Sequence, residues 1–391
     1  MNVKFHLNNI KYNNSKIQTC LLRVDFNVPI SENYEILDDT RIRVVKKTID
    51  YLINHNIRII MVSHMGRPKG EKSSKLSLNN IKEQIEQILN YQINLIDFSE
   101  TNMLNKINSI NNNELIMLDN IRFFKEEENY SESFSETLSS IADIYVNEAF
   151  AVSHRNHSSI TGVTNYLPSY MGYKMYEEYN SISNVNSSHY KNSLAIFGGS
   201  KIDDKILILR NFIGKVNTIL IGGGMIQSFL KSKDDTNSID RENDTIVEIL
   251  NNNKTEIILP DDVLIKVNDR VENIDTNKLS EKDSILDIGF RTINKYKDII
   301  SNSDYILWNG PMGIFEIDET NKGTAAIAKA IEMNQNAYTV AGGGSTLQAI
   351  KEFTNRDKFS HVSTGGGAFM EYIENGTLPG IEAIIHNSLN Q

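Results

Sequence analysis

The stretch Tyr338-Thr339-Val340-Ala341-Gly342-Gly343-Gly344-Ser345-Thr346 decides the architecture. A short apolar run breaks into glycines, and a helical segment follows. The same succession recurs at Leu194 to Phe197 before Gly198-Gly199, at Thr218 to Ile221 before Gly222-Gly223-Gly224, and at Tyr305 to Trp308 before Gly310. It returns at His361 to Ser363 before Gly365-Gly366-Gly367, and the runs Ile257 to Leu259 and Ile285 to Ile288 keep the rhythm. Upstream, the runs are Cys20 to Phe26, Ile57 to Val62, Leu115 to Leu118 and Ile144 to Val146. A helix is expected from Asp39 or Thr40, with Ile42, Val45, Ile49 and Leu52 on one face. Strands alternating with helices imply right-handed crossovers and mainly parallel sheets. The expectation is an α/β chain of two Rossmann-like doubly wound domains, residues 1–170 and 171–377. Pro168 to Val185, carrying Gly172, Tyr173, Met175, Tyr176 and Tyr179, reads as a hinge helix joining them.

At 391 residues the chain is long enough for two cores. Its net charge of −10 argues against a general nucleic-acid binder, which needs clustered Lys and Arg. The single cysteine, Cys20, lies in an apolar run and reads as a buried structural thiol. No stretch reaches the length of a membrane span and no apolar signal core opens the chain, so a cytoplasmic protein is expected.

In open α/β sheets, ligands bind beyond the carboxyl ends of the strands. There the two halves differ. The first half is cationic and polar: Asp25 and Asn27, His64 and Arg67, Arg122, then His154 and Arg155, with Arg41 opening the first helix. Any one of these arginines is most simply a surface ion pair. Their recurrence after successive apolar runs points instead to a small polyanionic substrate. In the second half the strand ends are glycines, which let phosphate approach backbone amides at a helix start. A lone triplet is only a tight turn; several in series point to a nucleotide. Lys201 and Lys205, four apart, would share a helical face and reach terminal phosphates.

The common fingerprints are absent. Gln227, Leu347 and Met370 stand where Gly-x-Gly-x-x-Gly would need its last glycine, and no Gly-x-x-x-x-Gly-Lys-Ser/Thr occurs. His154 and His157 have zinc-compatible spacing without a supporting cluster, and read as loop and phosphate-site residues.

These residues carry a resemblance to phosphoglycerate kinase. Its motifs appear in order as Arg23-Val24-Asp25-Phe26-Asn27-Val28-Pro29, Ser63-His64-Met65-Gly66-Arg67-Pro68 and His154-Arg155-Asn156-His157-Ser158-Ser159. Further on come Gly198-Gly199-Ser200-Lys201 with Asp204-Lys205, Trp308-Asn309-Gly310-Pro311-Met312-Gly313-Ile314-Phe315-Glu316, and Ser363-Thr364-Gly365-Gly366-Gly367-Ala368. The tail from Leu378-Pro379-Gly380-Ile381 resembles the family segment that packs back on the first domain, so residues 378–391 are expected there. The resemblance implies reversible phosphoryl transfer between 1,3-bisphosphoglycerate and ADP, with Mg2+, by a monomer. It implies phosphoglycerate contacts at Asp25, Phe26, Asn27, Arg41, His64, Met65, Gly66, Arg67, Arg122 and Arg155. Nucleotide contacts would fall on Lys205, Glu316, Gly343, Gly344, Ser345 and Thr346, with Arg41, Lys201 and Lys205 as catalytic groups. Closure about the hinge would bring cations and amides together and expel water.

The chain departs from the family pattern at Asp119 for glutamate, at Glu148 for aspartate, at Ala151 for a small residue, often glycine, and at Phe290 for proline. The largest departure is Ser345, which stands where the family places its magnesium-binding aspartate. From it follows the alternative of a catalytically attenuated or silent paralogue that binds nucleotide or phosphoglycerate; a third reading, a kinase for a different acyl phosphate, is opposed by the intact anion-binding residues.

Overall fold

The computed structural model describes residues 4–10, 18–111, 114–184, 190–199, 205–234, 241–268, 270–280 and 282–389. Two compact units emerge: Met1–Tyr179 with Thr377–Gln391, and Asn180–Gly376.

The first unit holds a six-stranded parallel sheet of β1 (Thr19–Arg23), β2 (Arg58–Val62), β3 (Ile93–Ile96), β4 (Leu115–Leu118), β5 (Ile144–Asn147) and β6 (Ser169–Met171). Their order is β3-β4-β2-β1-β5-β6. The apolar runs are continuous because both faces are covered. Cys20, Leu22, Ile59, Met61, Leu115 and Met117 bury on one face with Ile42, Val45, Ile49 and Leu52. Leu21, Ile60, Val62, Ile116, Leu118 and Tyr145 bury on the other. Cys20 is fully buried, which pushes its thiol well above the usual range. The helical segment after Asp39 runs as Thr40–Arg43 and Lys46–Asn54, interrupted at the β-branched pair Val44-Val45.

Ser169–Met171 pairs with β5, so the helix expected from Pro168 begins only at Tyr173 and runs to Ser183. Glu148 explains where it starts. Its carboxylate accepts the N–H groups of Met175 at 2.9 Å and Lys174 at 3.3 Å, two amides of the first turn. The C-terminal helix Pro379–Leu389 packs on the same unit. Gly380 N–H donates to Ser153 O at 2.9 Å, and Asn387 Nδ2 donates to Thr164 O at 2.7 Å.

The second unit has a parallel sheet of β7 (Ser193–Phe197), β8 (Thr218–Ile221), β9 (Glu256–Ile258), β13 (Tyr305–Asn309), β14 (Tyr338–Ala341) and β15 (His361–Val362). The order β9-β8-β7-β13-β14-β15 reverses direction between β7 and β13, the point where such sheets open a ligand crevice. A separate antiparallel sheet comprises β10 (Asp262–Val267), β11 (Arg270–Asp275) and β12 (Ile285–Ile288). The run Ile285 to Ile288 therefore leaves the parallel series. Its first two residues are only half-buried, unlike strands covered on both faces.

Candidate active site

In the first unit, β4, β2, β1 and β5 are neighbours, so the loops after them lie side by side. This adjacency gathers residues from four distant stretches of chain. Arg41 Nη1 donates to Asp25 Oδ2 at 2.9 Å and to Asn27 O at 3.0 Å. Asn27 Oδ1 accepts the Gly66 N–H at 2.9 Å, and Gly66 O accepts Arg122 Nη1 at 3.0 Å. Arg122 is largely buried, with Nε 3.2 Å from Glu128 Oε1. Arg67 and Arg155 are exposed, and neither forms an ion pair with a described residue.

Not every expected contact residue turns its side chain outward. Phe26 and Met65 are buried in the core, and Phe26 N–H donates to Ser63 Oγ at 2.9 Å. Asn120 Nδ2 holds Met65 O at 2.7 Å. Asp119 fixes the next loop by accepting Leu78 N–H at 2.8 Å and Ser77 Oγ at 2.9 Å.

The electrostatics of the cluster are those of an anion site. Burial, then the charges of Arg23 and Arg122, hold His64 well below the usual histidine range. Burial and Arg155 lower His154 to about 4. Both imidazoles are neutral at physiological pH, and the surrounding positive charge comes from arginines.

Sequence reading missed a buried layer beneath the cluster. Arg23 and Glu127 are both fully buried, joined through Ser159: Arg23 Nε donates to Ser159 Oγ at 2.9 Å, which donates to Glu127 Oε1 at 2.7 Å. His157 Nδ1 lies 3.6 Å from the same carboxylate, so this histidine packs inward. Burial pushes Glu127 up, but His157 and Arg23 outweigh it and hold the carboxyl below its usual range. In sequence Glu127 sits in the run Glu126 to Glu128 and looks like any solvated acid.

In the second unit, Lys205 stands at the reversal point of the sheet. Its ammonium donates to Gly198 O, to Asn309 Oδ1 at 2.7 Å and to Asn309 O at 3.2 Å, bridging the ends of β7 and β13. It precedes the helix Ile206–Phe212 instead of lying on its face, and Lys201 lies outside the described residues. Gly310 is required here: its φ is +94°, and a Cβ would come within 2.2 Å of Gly198 O. Asn309 Nδ2 donates to Gly342 O at 2.7 Å, and Thr346 Oγ1 accepts Gly310 N–H at 2.7 Å.

Gly344 and Gly367 are of another kind, because a Cβ added to either would meet nothing within 4 Å. They open the helices Gly344–Phe353 and Gly367–Asn375 at the carboxyl ends of β14 and β15. Bare amides at helix starts favour phosphate oxygens. Ser345 is exposed in the first turn beside them, and Glu316 is exposed in the loop after β13.

Glu148 supplies a stability prediction. Burial pushes its carboxyl from 4.5 up to about 7, despite bonds from Thr48 and the Met175 and Lys174 amides. A raised folded value means the unfolded chain releases its proton first. Stability from this group is therefore full below pH about 4.5 and lost as pH rises to about 7. Between pH 5 and 8 the wild type should lose about 2–3 kcal/mol more than Glu148→Gln in denaturant unfolding. Parallel pH curves for the two proteins would refute this.

A family model described as phosphoglycerate kinase matches residues 8–376. The phosphoglycerate kinase of Finegoldia magna is 38% identical over 380 residues, covering 93% of this chain and 95% of that protein. That of Wolbachia pipientis is 39% identical over 383 residues, covering 94% and 96%. Among solved structures, phosphoglycerate kinase from Coxiella burnetii superposes with a TM-score of 0.86 at 28% identity, over 99% of this chain and 98% of that one. The Pyrococcus horikoshii enzyme gives 0.75 at 27% identity over 99% of both. A match that runs through both units, at these identities, leaves one conclusion: the chain belongs to the phosphoglycerate kinase family.

Proposed function

We propose that the protein transfers a phosphoryl group reversibly from 1,3-bisphosphoglycerate to ADP, giving 3-phosphoglycerate and ATP. The observation that carries this is the cluster of arginines at the ends of four neighbouring strands of the first unit. The reading gives Asp25, Asn27, Arg41, His64, Gly66, Arg67, Arg122 and Arg155 the phosphoglycerate. Phe26 and Met65 support it through backbone. Lys205, Glu316, Gly343, Gly344, Ser345 and Thr346 take the nucleotide.

A terminal phosphate oxygen of ADP forms the new P–O bond while the bond from phosphorus to the acyl oxygen breaks, and a carboxylate leaves. No proton need move, so neither a protein nucleophile nor a general base is demanded. What the chain supplies is position and charge: Arg41 and Lys205 stabilise the equatorial oxygens as the phosphoryl group passes. Lys201, outside the described residues, is assigned to the same task.

Magnesium accompanies the nucleotide as part of that substrate. The residues here do not furnish it a carboxylate at the start of helix Gly344–Phe353, where Ser345 stands. Among the described residues, no group of three or more His, Cys, Asp or Glu is placed to hold a metal. The Ser345 hydroxyl is left to bond a phosphate oxygen or a water of the metal. Ser345→Asp should raise activity under limiting magnesium about tenfold, since magnesium takes only one or two protein carboxylates. An unchanged magnesium dependence would dismiss this role for position 345.

Turnover of 3-phosphoglycerate and ATP in a coupled assay tests the whole reading; nucleotide binding without turnover would overturn it. Monomeric state and a cytoplasmic setting belong to the same proposal and rest on family membership. Among the described residues no helix is long and apolar enough to cross a membrane.

A further inference from the structure

We propose that Arg23 is a positioning residue for His64, fixing the neutral imidazole with its proton on Nε2. His64 then presents an N–H donor, instead of a lone pair, to the bound phosphoglycerate. The proposal rests on the reading that His64 meets that substrate.

A guanidinium donates and never accepts. Arg23 Nη2 lies 3.4 Å from His64 Nδ1, so Nδ1 must face it as an acceptor. A proton on Nδ1 would oppose donor to donor. The one carboxylate beside this nitrogen, Asp25 Oδ1, is 3.8 Å away, beyond hydrogen-bond reach, and does not draw a proton to it. Asp25 is itself engaged by Arg41 at 2.9 Å. With Nδ1 accepting and the ring neutral, the proton is on Nε2.

The guanidinium cannot turn away from this task. Nη1 donates to Val24 O, just past β1, and reaches Val62 O at the end of β2 at 3.4 Å. Nε is held by Ser159 Oγ at 2.9 Å. Ser159 is fixed in turn by Glu127, which accepts its hydroxyl at 2.7 Å and its N–H at 2.9 Å. Arg23, Ser159, Glu127 and His64 are all buried, so the arrangement is shielded from exchange with water. Glu127 balances the charge of Arg23 across Ser159, which makes burial of both tolerable. The remaining neighbours of His64, namely Arg122, His157 and Arg41, oppose a second proton on the ring.

A long-range proton–nitrogen correlation spectrum of the uniformly 15N-labelled protein reads the tautomer directly, with His64→Gln assigning the signal. The Nε2–H pattern is expected, unchanged from about pH 5.5 to 8.5. An Nδ1–H pattern, or a ring that titrates in this range, overturns the proposal. Arg23→Lys keeps the charge but not the fork. It is expected to mix the tautomers and to raise KM for 3-phosphoglycerate about tenfold with kcat within about threefold. If spectrum and KM both stay as in wild type, Arg23 does not position His64. Should that variant not fold, the wild-type spectrum decides alone. The reading of the substrate site fails separately, if His64→Gln leaves KM for 3-phosphoglycerate unchanged.

Discussion

Replacing Arg41 by methionine is expected to lower kcat about a thousandfold, or about 4 kcal/mol, because the proposed reaction assigns this arginine to the charge on the moving phosphoryl group. Its anchoring makes the expectation specific. Nη1 is held by Asp25 at 2.9 Å and by the Asn27 carbonyl at 3.0 Å, while about a third of the side chain, 35%, stays open to solvent. The fork is therefore fixed on one side and available on the other. Methionine keeps the apolar stem but leaves the buried Asp25 carboxylate without its ion-pair partner, so a lower unfolding temperature is expected and kcat is compared where both proteins are folded. Arg41→Lys should recover only part of the rate, since one ammonium cannot hold Asp25 and Asn27 while meeting phosphate oxygens. The coupled assay in both directions, with circular dichroism as a control on folding, measures this. A loss smaller than about tenfold in kcat would remove Arg41 from the transition state and leave it a structural ion pair.

Lys205→Met should lower kcat/KM for the nucleotide by about two to three decades, an effect in the range of losing one preorganised charge. The ammonium is at the reversal point of the second sheet, collared by Gly198 O and both oxygens of Asn309. A terminal phosphate arriving there would exchange with one carbonyl as partner and gain a full charge. Lys205→Arg should not rescue it, because a Cβ on Gly310 would already lie 2.6 Å from Nζ and a planar guanidinium needs more room. Measuring the nucleotide and phosphoglycerate KM values separately decides the matter. If both rise equally, Lys205 shapes the fold and does not face the nucleotide.

Much of this was legible in sequence for a definite reason. Strands covered on both faces must be apolar at every position, so Leu21-Leu22 and Ile59-Ile60-Met61 stand out whatever the register. Ligand loops beyond them break that pattern sharply, as Gly342-Gly343-Gly344 does after Ala341. Strands that are short or half-covered leave no such contrast. Ser169–Met171 follows Pro168 in a stretch that reads as helix, and Ile285–Ile288 keeps the rhythm of the parallel strands yet pairs antiparallel. Side-chain orientation was hidden too. Phe26 and Met65 carry the right identities, yet bury their side chains. Glu127 and Arg23 are ordinary charged letters until the fold stacks Ser159 between them.

The helix Pro379–Leu389 has a consequence for how the molecule is made. The first unit is interrupted by the whole of the second and completed only by Thr377–Gln391. Its last helix holds Ser153 O through Gly380, next to His154 and Arg155. At roughly 5–20 residues per second, the ribosome needs roughly 10–40 s to go from Tyr179 to Thr377. Throughout that interval the nascent first unit has its arginine loop but not the clasp beneath it. The second unit, being contiguous, is whole before the clasp is synthesised. The first unit, begun first, is therefore the one that cannot complete its packing until the second has been synthesised in full.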